Sequence, residues 1–258
     1  MIDSHCHITD KRYNADEVVS TFAEDGLEAV VTIGYDTATS IEAVRLAEKH
    51  ERVFASVGIH PNEFTHEDSL DGILPLLSHP KVVAYGEIGL DYYWDEPERD
   101  VQKRKFIEQI ELAISARLPI IIHSRDCDGD MLPILKSYAP RITDGLVMHC
   151  FSSSEELAKE YAKLGFYISF AGPITFKNAK KGDIIRAVPD DLILAETDCP
   201  YLTPMPHRGK LNYPAYVRYT IEKLAEERGV DFEYMERLTT VNAKKLFKKI
   251  VDFTGEKI

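Results

Sequence analysis

Two histidines separated by one residue, His5 and His7, stand in the short apolar segment that opens the chain. Side chains alternate between the two faces of a β-strand, so a strand over residues 1–8 points both imidazoles the same way. Two imidazoles on one face could bind one metal cation. The alternative is a pair of partly buried, hydrogen-bonded histidines, and the rest of the sequence has to decide between the two.

Eight short segments rich in β-branched residues recur along the chain and predict eight strands. Their starts are about 21–36 residues apart, close to the length of one strand–helix–strand increment. The predicted strands cover residues 1–8, 27–34, 53–60, 82–91, 118–126, 145–151, 166–172 and 192–198. Apolar residues near a 3.6-residue period predict helices over 36–50 and 97–117, and the region 214–250 predicts two helices that separate near Gly229.

Eight strands that alternate with helices in 258 residues predict the α/β class and a (β/α)8 TIM barrel. A doubly wound open sheet is the alternative, but no G-x-G-x-x-G follows the first strand. We see no Pro/Gly/Ser-rich linker, low-complexity tract or internal repeat. The sequence therefore predicts a single domain over residues 1–258.

The composition is that of an ordinary globular protein, with 44% hydrophobic and 29% charged residues. No run of 18 apolar residues predicts a membrane helix, and the N-terminus lacks a signal-peptide pattern. The four cysteines have no C-x-x-C spacing, so we expect a reducing, cytoplasmic location and no disulfide framework. No membrane association or obligate protein partner is predicted. With a net charge of −12, nucleic-acid binding would require metal ions and a local basic cluster.

Polar residues collect where the predicted strands end. They are His5 and His7 on strand 1, His60 on strand 3, Glu87 and Asp91 on strand 4, His123 and Arg125 on strand 5, His149 on strand 6, and Glu196 and Asp198 on strand 8. In a barrel, the C-terminal strand ends line the active site. A single terminal histidine or aspartate could simply cap a strand or the next helix. Convergence from five or more strands instead predicts a metal site at this end of the barrel.

Imidazoles combined with carboxylates suit Zn²⁺, Mn²⁺, Co²⁺ or Fe²⁺, whereas Mg²⁺ usually prefers oxygen ligands alone. Even four of these histidines with two of the carboxylates are too many for one tetrahedral ion. They suit two divalent ions about 3.5–4 Å apart that share a carboxylate and a bridging water. Such ions lower the pKa of that water and produce hydroxide near neutral pH. The predicted reaction class is metal-assisted hydrolysis.

Several motifs occur in order along the chain: DSHCH (3–7), SVGIHP (56–61), GEIGLDYY (86–93), IIIHSRD (120–126), MHCFS (148–152) and ETDCPYLTP (196–204). With these motifs the sequence resembles the TatD family of metal-dependent deoxyribonucleases, within the wider amidohydrolase-like metal barrels. RGKLN (208–212) and TTVNAKKLF (239–247) extend the resemblance toward the C-terminus. The resemblance implies a DNase that trims single-stranded ends with 3′-to-5′ polarity.

The resemblance also implies the metal ligands, which are His5, His7, Glu87, His123, His149 and Asp198. Glu87 is expected to bridge the two ions. Asp198 is expected both to bind a metal and to accept the proton of the attacking water, so Glu87 and Asp198 are the predicted catalytic residues. Glu196 lies two residues earlier, and we expect it to hydrogen-bond a ligand histidine from behind.

Other residues are candidates for substrate contacts. His60 is expected to contact substrate, with a structural role in its G-I-H-P turn as the alternative. Arg125 could grip a phosphate or pair internally with Asp91. Aromatic residues follow in the strand 4 loop, Tyr92, Tyr93 and Trp94, and they could stack on bases or cover the helix behind them.

Arg208 and Lys210, with His207, add positive charge beyond strand 8, where many barrels bind phosphate. A solvated loop is the alternative for this segment. Three cysteines that alternate with ligand residues, Cys6, Cys150 and Cys199, are expected to face the helix layer as small core residues. The alternative functions are a small-molecule or aminoacyl-ester or amide hydrolase with the same two-metal site, and a non-catalytic metal-binding protein.

Overall fold

Eight parallel strands form one sheet in the order β1 to β8 in the computed structural model, which describes residues 1–66 and 69–250. All eight predicted strands are confirmed. They are β1 (Ile2–Cys6), β2 (Ala29–Ile33), β3 (Val53–Val57), β4 (Val82–Asp91), β5 (Ile120–Arg125), β6 (Leu146–Met148), β7 (Tyr167–Phe170) and β8 (Ile193–Ala195). Each strand is parallel to its neighbours, so every strand ends at the same edge of the sheet.

Helices alternate with these strands. They are α1 (Ala15–Ser20), α2 (Thr37–Lys49), α3 (Arg99–Ala116), α4 (Asp128–Tyr138), α5 (Glu155–Lys163), α6 (Gly182–Ala187), α7 (Val217–Arg228) and α8 (Phe232–Leu246). The predicted helices over 36–50 and 97–117 are confirmed as α2 and α3. The predicted break at Gly229 is also confirmed, because this glycine ends α7 in the left-handed conformation, with φ of 66°.

The connection between β3 and β4 departs from the regular pattern. Its described residues contain two 3-10 turns, Pro61–Thr65 and Leu74–Leu76, and no α-helix. The first turn begins directly after His60, whose Nδ1 accepts a hydrogen bond from the Asn62 N–H at 3.2 Å. This turn fixes the backbone at the end of β3 and so holds His60 at the mouth of the barrel.

Hydrogen bonds beyond the strand ends join β8 to β1. The His7 N–H donates to the Cys199 carbonyl at 2.7 Å, and the Asp198 N–H donates to the His5 carbonyl at 2.9 Å. The chain is therefore a (β/α)8 TIM barrel, as predicted. The predicted single domain runs to residue 258, of which residues 251–258 lie outside the described part.

The barrel interior is a packed apolar layer. Inward-facing residues of the strands, including Val31, Phe54, Ile121 and Leu194, contact Leu246 and Phe247 from the end of α8. The Asn242 side chain of α8 donates to the Ile193 carbonyl at the start of β8, so this helix closes the end where the strands begin. Among the described residues, no helix is long and apolar enough to cross a bilayer.

Candidate metal centre

The open end of the barrel brings together all six residues predicted as ligands. His5 comes from the end of β1 and His7 from just beyond it, Glu87 from β4, His123 from β5, His149 from just beyond β6 and Asp198 from just beyond β8. His5, His7, Glu87 and His149 are buried, and Asp198 and His123 are only slightly more exposed. Convergence of these side chains was predicted from the sequence, and the structure places them as expected.

A shift in strand register directs His5 into the site. The pairing of β1 with β2 changes register between Asp3 and Cys6, the stretch that contains His5. Such irregularities re-aim side chains at barrel rims. Beneath this stretch the buried Asp3 carboxylate accepts hydrogen bonds from the Thr197 N–H at 2.9 Å and the Thr197 hydroxyl at 2.6 Å. These bonds tie the end of β1 to the segment that carries Asp198.

Two glycines let β5 approach β4 closely enough to join His123 to Glu87. A Cβ on Gly89, where φ is 151°, would lie 1.9 Å from the His123 carbonyl oxygen. A Cβ on Gly86, where φ is 150°, would lie 2.6 Å from the Ile121 carbonyl oxygen. Both positions therefore require glycine. The GEIG sequence explains why the carboxylate of Glu87 reaches the neighbouring strand's histidine.

Glu87 lies between two pairs of histidines. Its Oε1 is 2.8 Å from His123 Nδ1 and 2.8 Å from His149 Nε2. Its Oε2 is 3.5 Å from His5 Nε2, and His5, His7 and Glu87 present ligand atoms within 4.8 Å of one another. The carboxylate of Glu87 is thus positioned to be shared by both groups.

Asp198 completes the group on the β1 side. Its Oδ1 lies 3.4 Å from His7 Nε2 and 3.7 Å from His5 Nε2. The sequence left open whether Asp198 instead caps a following helix. Asp198 adopts a left-handed conformation, with φ of 54°, and the residues after it form turns before α7 begins at Val217. Its side chain faces the histidines.

Two further carboxylates support the histidines of the β5–β6 side. Glu196 Oε1 lies 3.2 Å from His149 Nδ1 and accepts the Cys150 N–H at 2.7 Å, as expected for a group behind a ligand histidine. Asp91 Oδ2 lies 3.0 Å from His123 Nε2. This second arrangement was missed from the sequence. Because β4 alternates, Asp91 points to the same side as Glu87, and that spacing was the available signal.

The charges of the centre stabilise one another. Burial disfavours an ionised Glu87, yet the charge of His149 and a hydrogen bond from His123 lower the pKa of this carboxyl well below its usual value. Burial opposes a low pKa at Asp198 too, and a hydrogen bond from His7 lowers it. Burial and the charge of His149 lower the pKa of His5. Although burial opposes it, the nearby carboxylates raise the pKa values of His7, His123 and His149, so the site as a whole stabilises positive charge, as a metal site must.

One unpartnered nitrogen atom indicates that these side chains suit a divalent metal ion. Among the described residues, the buried Nε2 of His5 has no hydrogen-bond partner, although two carboxylates lie 3.5 and 3.7 Å away. A buried polar atom without a partner is costly. A cation held by His5, Glu87 and Asp198 would satisfy that nitrogen. Glu87, His123 and His149 form a second group whose ligand atoms all lie within 4.8 Å.

Not all the residues predicted to contact substrate lie at the candidate metal site. His60 is at the site, with Nε2 3.9 Å from Glu87 Oε1 and its ring 4.3 Å from that of His123. Burial and the charge of His123 lower the pKa of His60 to about 3, so its imidazole is neutral. Arg125 is exposed and lies 3.7 Å above the ring of Tyr93. Asp91, the alternative partner of Arg125, contacts His123.

The basic segment beyond β8 lies at the rim. Arg208 and Lys210 are exposed, and the Arg208 guanidinium lies 4.4 Å above the ring of Phe176. His207 was grouped with these cations in the sequence, but its ring is stacked on Tyr216 at 4.5 Å and its Nε2 lies 2.9 Å from the Tyr219 hydroxyl. His207 therefore anchors the segment, and Arg208 and Lys210 carry its exposed charge.

The aromatic residues in the loop after β4 differ in their surroundings. The Tyr92 hydroxyl donates to Asp130 at 2.7 Å and its ring lies under Arg99 at 4.5 Å, so Tyr92 packs on the neighbouring helices. Tyr93 and Trp94 are each 55% exposed and contact each other edge to face. Tyr92 therefore covers the helices behind the loop, whereas stacking of Tyr93 and Trp94 on bases stays a prediction.

One expectation about the cysteines is wrong. Cys6 and Cys199 are buried as predicted, but Cys150 is partly exposed and lines a cavity beside the centre. The strict alternation behind the prediction does not apply, because β6 ends at Met148 and Cys150 has a left-handed φ of 43°. Burial raises the pKa of the Cys150 thiol well above its ordinary value, and so do the nearby charges of Asp198 and Glu196.

The centre opens into a cavity of about 370 Å³. Besides the predicted residues, Tyr35, Asn62, Glu63 and Tyr201 line it. These four lie beside predicted site residues or in the loop after β2, but none has a metal-ligand spacing of its own, and sequence reasoning missed them. A (β/α)8 barrel with a histidine and carboxylate cluster at its open end defines a class of metal-dependent hydrolases.

Comparison with known proteins identifies the family within that class. The sequence model described as TatD related DNase matches residues 2–248. The chain belongs to the TatD family of metal-dependent hydrolases. Both the family and the hydrolase class predicted from the sequence are therefore confirmed.

Individual relatives match along almost their whole length. The chain is 44% identical over 254 residues to the metal-dependent hydrolase YabD of Bacillus subtilis strain 168, covering 96% of this chain and 99% of YabD. It is 37% identical to the metal-dependent hydrolase YcfH of Escherichia coli K12, covering 96% and 95%. The crystal structure of YjjV, a TatD homolog from Escherichia coli K12, superposes with a TM-score of 0.90 at 29% identity, covering 96% of this chain and 98% of YjjV.

Proposed function

We propose that this protein is a two-metal deoxyribonuclease that trims single-stranded DNA ends. The observation that carries the proposal is the position of Glu87, whose carboxylate faces both pairs of histidines in an open cavity. The name of the matching family, TatD related DNase, supports DNA as the substrate. The proposed 3′-to-5′ polarity is supported by the family resemblance alone.

Six residues would hold the two ions. His5, His7 and Asp198 would bind one ion, His123 and His149 the other, and Glu87 both. Zn²⁺, Mn²⁺, Co²⁺ and Fe²⁺ suit this mixture of nitrogen and oxygen donors better than Mg²⁺ does, although Mg²⁺ remains a candidate. When bound, such ions lower the pKa of a water molecule and polarise a phosphoryl oxygen.

Residues of the chain itself would accept the proton, orient the histidines and contact the substrate. Asp198 is held ionised by His7, so its carboxylate can accept the proton of the attacking water. Glu196 and Asp91 fix the orientation of His149 and His123 by accepting hydrogen bonds from Nδ1 of His149 and Nε2 of His123. His60 is neutral and borders the cavity, where it can donate or accept a hydrogen bond with substrate.

The rim offers groups that suit a nucleic-acid strand. Arg125, Arg208 and Lys210 provide exposed positive charge in a chain of net charge −12. Exposed aromatic rings also stand at this end of the barrel, including Tyr93, Trp94 and Tyr201. Cations for phosphates and rings for bases are the combination used to bind single strands.

A second candidate function is hydrolysis of small-molecule, aminoacyl-ester or amide substrates by the same two-metal site. A carbonyl substrate needs no cationic clamp, so the three exposed cations at the rim favour a phosphodiester. A non-catalytic metal-binding role is the least supported, because the structure retains the complete predicted set of ligands around Glu87.

The test is a comparison of substrates with metal-loaded protein. Oligonucleotides labelled at the 5′ or 3′ end, a small phosphodiester and simple esters should be assayed side by side. We expect single-stranded oligonucleotides to have the highest kcat/KM and to be shortened from the 3′ end. Faster turnover of esters than of any phosphodiester would replace the nuclease with the second candidate.

A further inference from the structure

A second cavity, of about 530 Å³, begins beside the metal centre. Cys150, which follows His149 directly, lines it, and the loops after β6, β7 and β8 form its walls. None of the predicted metal ligands lines this cavity, so it is distinct from the 370 Å³ cavity above the centre.

The walls of this cavity are apolar and are fixed by main-chain contacts. Phe151 and Ile174 are buried side chains of the lining, and Phe176 is half-buried. A Cβ on Gly172 would lie 2.1 Å from the Leu202 carbonyl oxygen, so the loops after β7 and β8 touch at their backbones. The Met205 N–H donates to the Thr175 hydroxyl at 2.8 Å, which joins the same two loops.

Positive charge borders this apolar space. Lys177, Lys181 and Arg208 belong to the lining, which contains no aspartate or glutamate among the described residues. Lys181 donates to the Ser152 carbonyl at 2.5 Å and so holds the loop after β6. The first cavity, in contrast, is lined by Glu63, Glu87 and Asp198.

Phe176 and Arg208 form a stacked pair at the edge of the second cavity. The guanidinium carbon lies 4.4 Å above the ring centre, and Arg208 is exposed. A guanidinium on an aromatic ring keeps a second planar face, which can stack on a flat heteroaromatic group. The same guanidinium can also bind a phosphate oxygen at its edge.

We propose that this cavity binds the nucleobase of the nucleotide next to the bond that is cleaved, with the base stacked on the Phe176–Arg208 pair and its phosphate near Lys177. This assignment rests on the proposed nuclease function. The cavity adjoins the metal centre through Cys150, is large enough for one nucleotide and carries cations where the chain as a whole is acidic. An acyl chain would use the apolar walls but would leave the exposed cations, Lys177 and Arg208, without a role.

Equilibrium binding tests the assignment without requiring turnover. Metal-loaded protein should bind deoxyadenosine 5′-monophosphate at least about tenfold more tightly than 2-deoxyribose 5-phosphate, since stacking of one base has an effect of this order. Phe176→Ala should remove that preference and leave the affinity for 2-deoxyribose 5-phosphate within about twofold. Equal affinities in the wild-type protein, or an unchanged preference in Phe176→Ala, would overturn the assignment.

Phe232 provides a matched control. Its half-buried ring carries Arg218 at 4.6 Å, a pair of the same kind on α7 and α8. Phe232→Ala should retain the full preference for the base. If Phe176→Ala does not fold, Phe176→Leu keeps the apolar contact without the ring, and it should lose most of the preference.

A kinetic experiment distinguishes a failure of this assignment from a failure of the proposed nuclease function. An oligonucleotide that ends in an abasic residue should have a higher KM than its normal counterpart, and Phe176→Ala should remove the difference. Cleavage of both at equal KM would refute the base site and leave the nuclease standing. Absence of cleavage together with a retained preference for deoxyadenosine monophosphate would refute the nuclease and leave a nucleotide site. An ester kcat/KM that rises with acyl length and depends on Phe176 would show an acyl site instead.

Discussion

The carboxylate oxygen Oε1 of Glu87 lies 2.8 Å from Nε2 of His149, while the other oxygen of Glu87 faces His5 at 3.5 Å. The two contacts point in different directions from one side chain. Glu87 can therefore belong at once to the group with His5 and His7 and to the group with His123 and His149.

Glu87→Ala should lower kcat/KM for an oligonucleotide by at least about 10²-fold, the scale on which supporting groups at metal sites act. The circular dichroism spectrum should be unchanged, because the stability of a barrel resides in its packed interior and helix ring. Glu87→Gln keeps the shape but not the charge and should show a similar loss. Turnover near that of the wild-type protein in either variant would show that Glu87 does not bind metal.

Glu196→Gln should weaken metal binding without removing a ligand. Its Oε1 contacts His149 Nδ1 and accepts the Cys150 N–H, and the amide oxygen of glutamine is an uncharged, weaker acceptor; mutation of such a partner typically costs 10–100-fold in metal affinity. Competition with a chelator of known affinity measures this change. Asp191→Asn, an exposed carboxylate just before the same strand, is the control and should have wild-type affinity. Equal affinities for the two variants would contradict the role of Glu196.

Arg208→Ala combined with Lys210→Ala should raise KM for an oligonucleotide and flatten its salt dependence. Each cation that touches a phosphate contributes about 0.7 to the salt slope on a single strand, so the double variant should lose up to about 1.4. The loop should persist, because the Lys210 carbonyl, which the substitution retains, accepts the Thr203 hydroxyl.

The matched control for this pair removes two other exposed lysines, Lys159 and Lys163 on α5, and so changes the net charge equally. That variant should keep the wild-type KM and salt slope. A double variant at Arg208 and Lys210 with an unchanged KM and slope would exclude this loop as a phosphate clamp.

Phe247→Ala should lower the free energy of unfolding by about 3–5 kcal/mol, the usual cost of deleting a buried aromatic side chain. Phe247 is fully buried against the barrel interior, at the end opposite the metal centre. Urea denaturation measures the loss, and metal binding at low temperature should persist. Val241→Ala, on the exposed side of α8, should change stability by less than about 0.5 kcal/mol. Similar losses for both variants would contradict the closing role of α8.

The barrel could be predicted because its strands and helices have different periods. Apolar residues repeat every two or 3.6 positions, and β-branched segments recur at the spacing of strand–helix units. The convergence of polar residues could be predicted for a related reason, since parallel strands end at one edge, whereas the choice of six candidate ligands among them came from the family resemblance. Neither the periods nor the strand ends predict which residues close the other end of the barrel, where Leu246 and Phe247 pack against Ile2 of β1.

Contacts made by loops and by irregular backbone could not be predicted. Cys150 faces a cavity because its φ of 43° breaks the alternation of β6. The hydrogen bond between Asp91 and His123 depends on the close approach of two strands at Gly89, and strand pairing is a long-range property. The stacking of Arg208 on Phe176 likewise joins the loops after β8 and β7.

The central claim is that six strand-end residues hold two divalent ions that hydrolysis requires. Titration of metal-stripped protein with Mn²⁺ or Zn²⁺, with bound metal and oligonucleotide cleavage measured on the same samples, tests it most directly. The structure predicts no cleavage by the stripped protein, saturation at two ions per chain, and activity that rises as the second ion binds. Full activity in the stripped protein, or saturation at one ion with full activity, would contradict the claim.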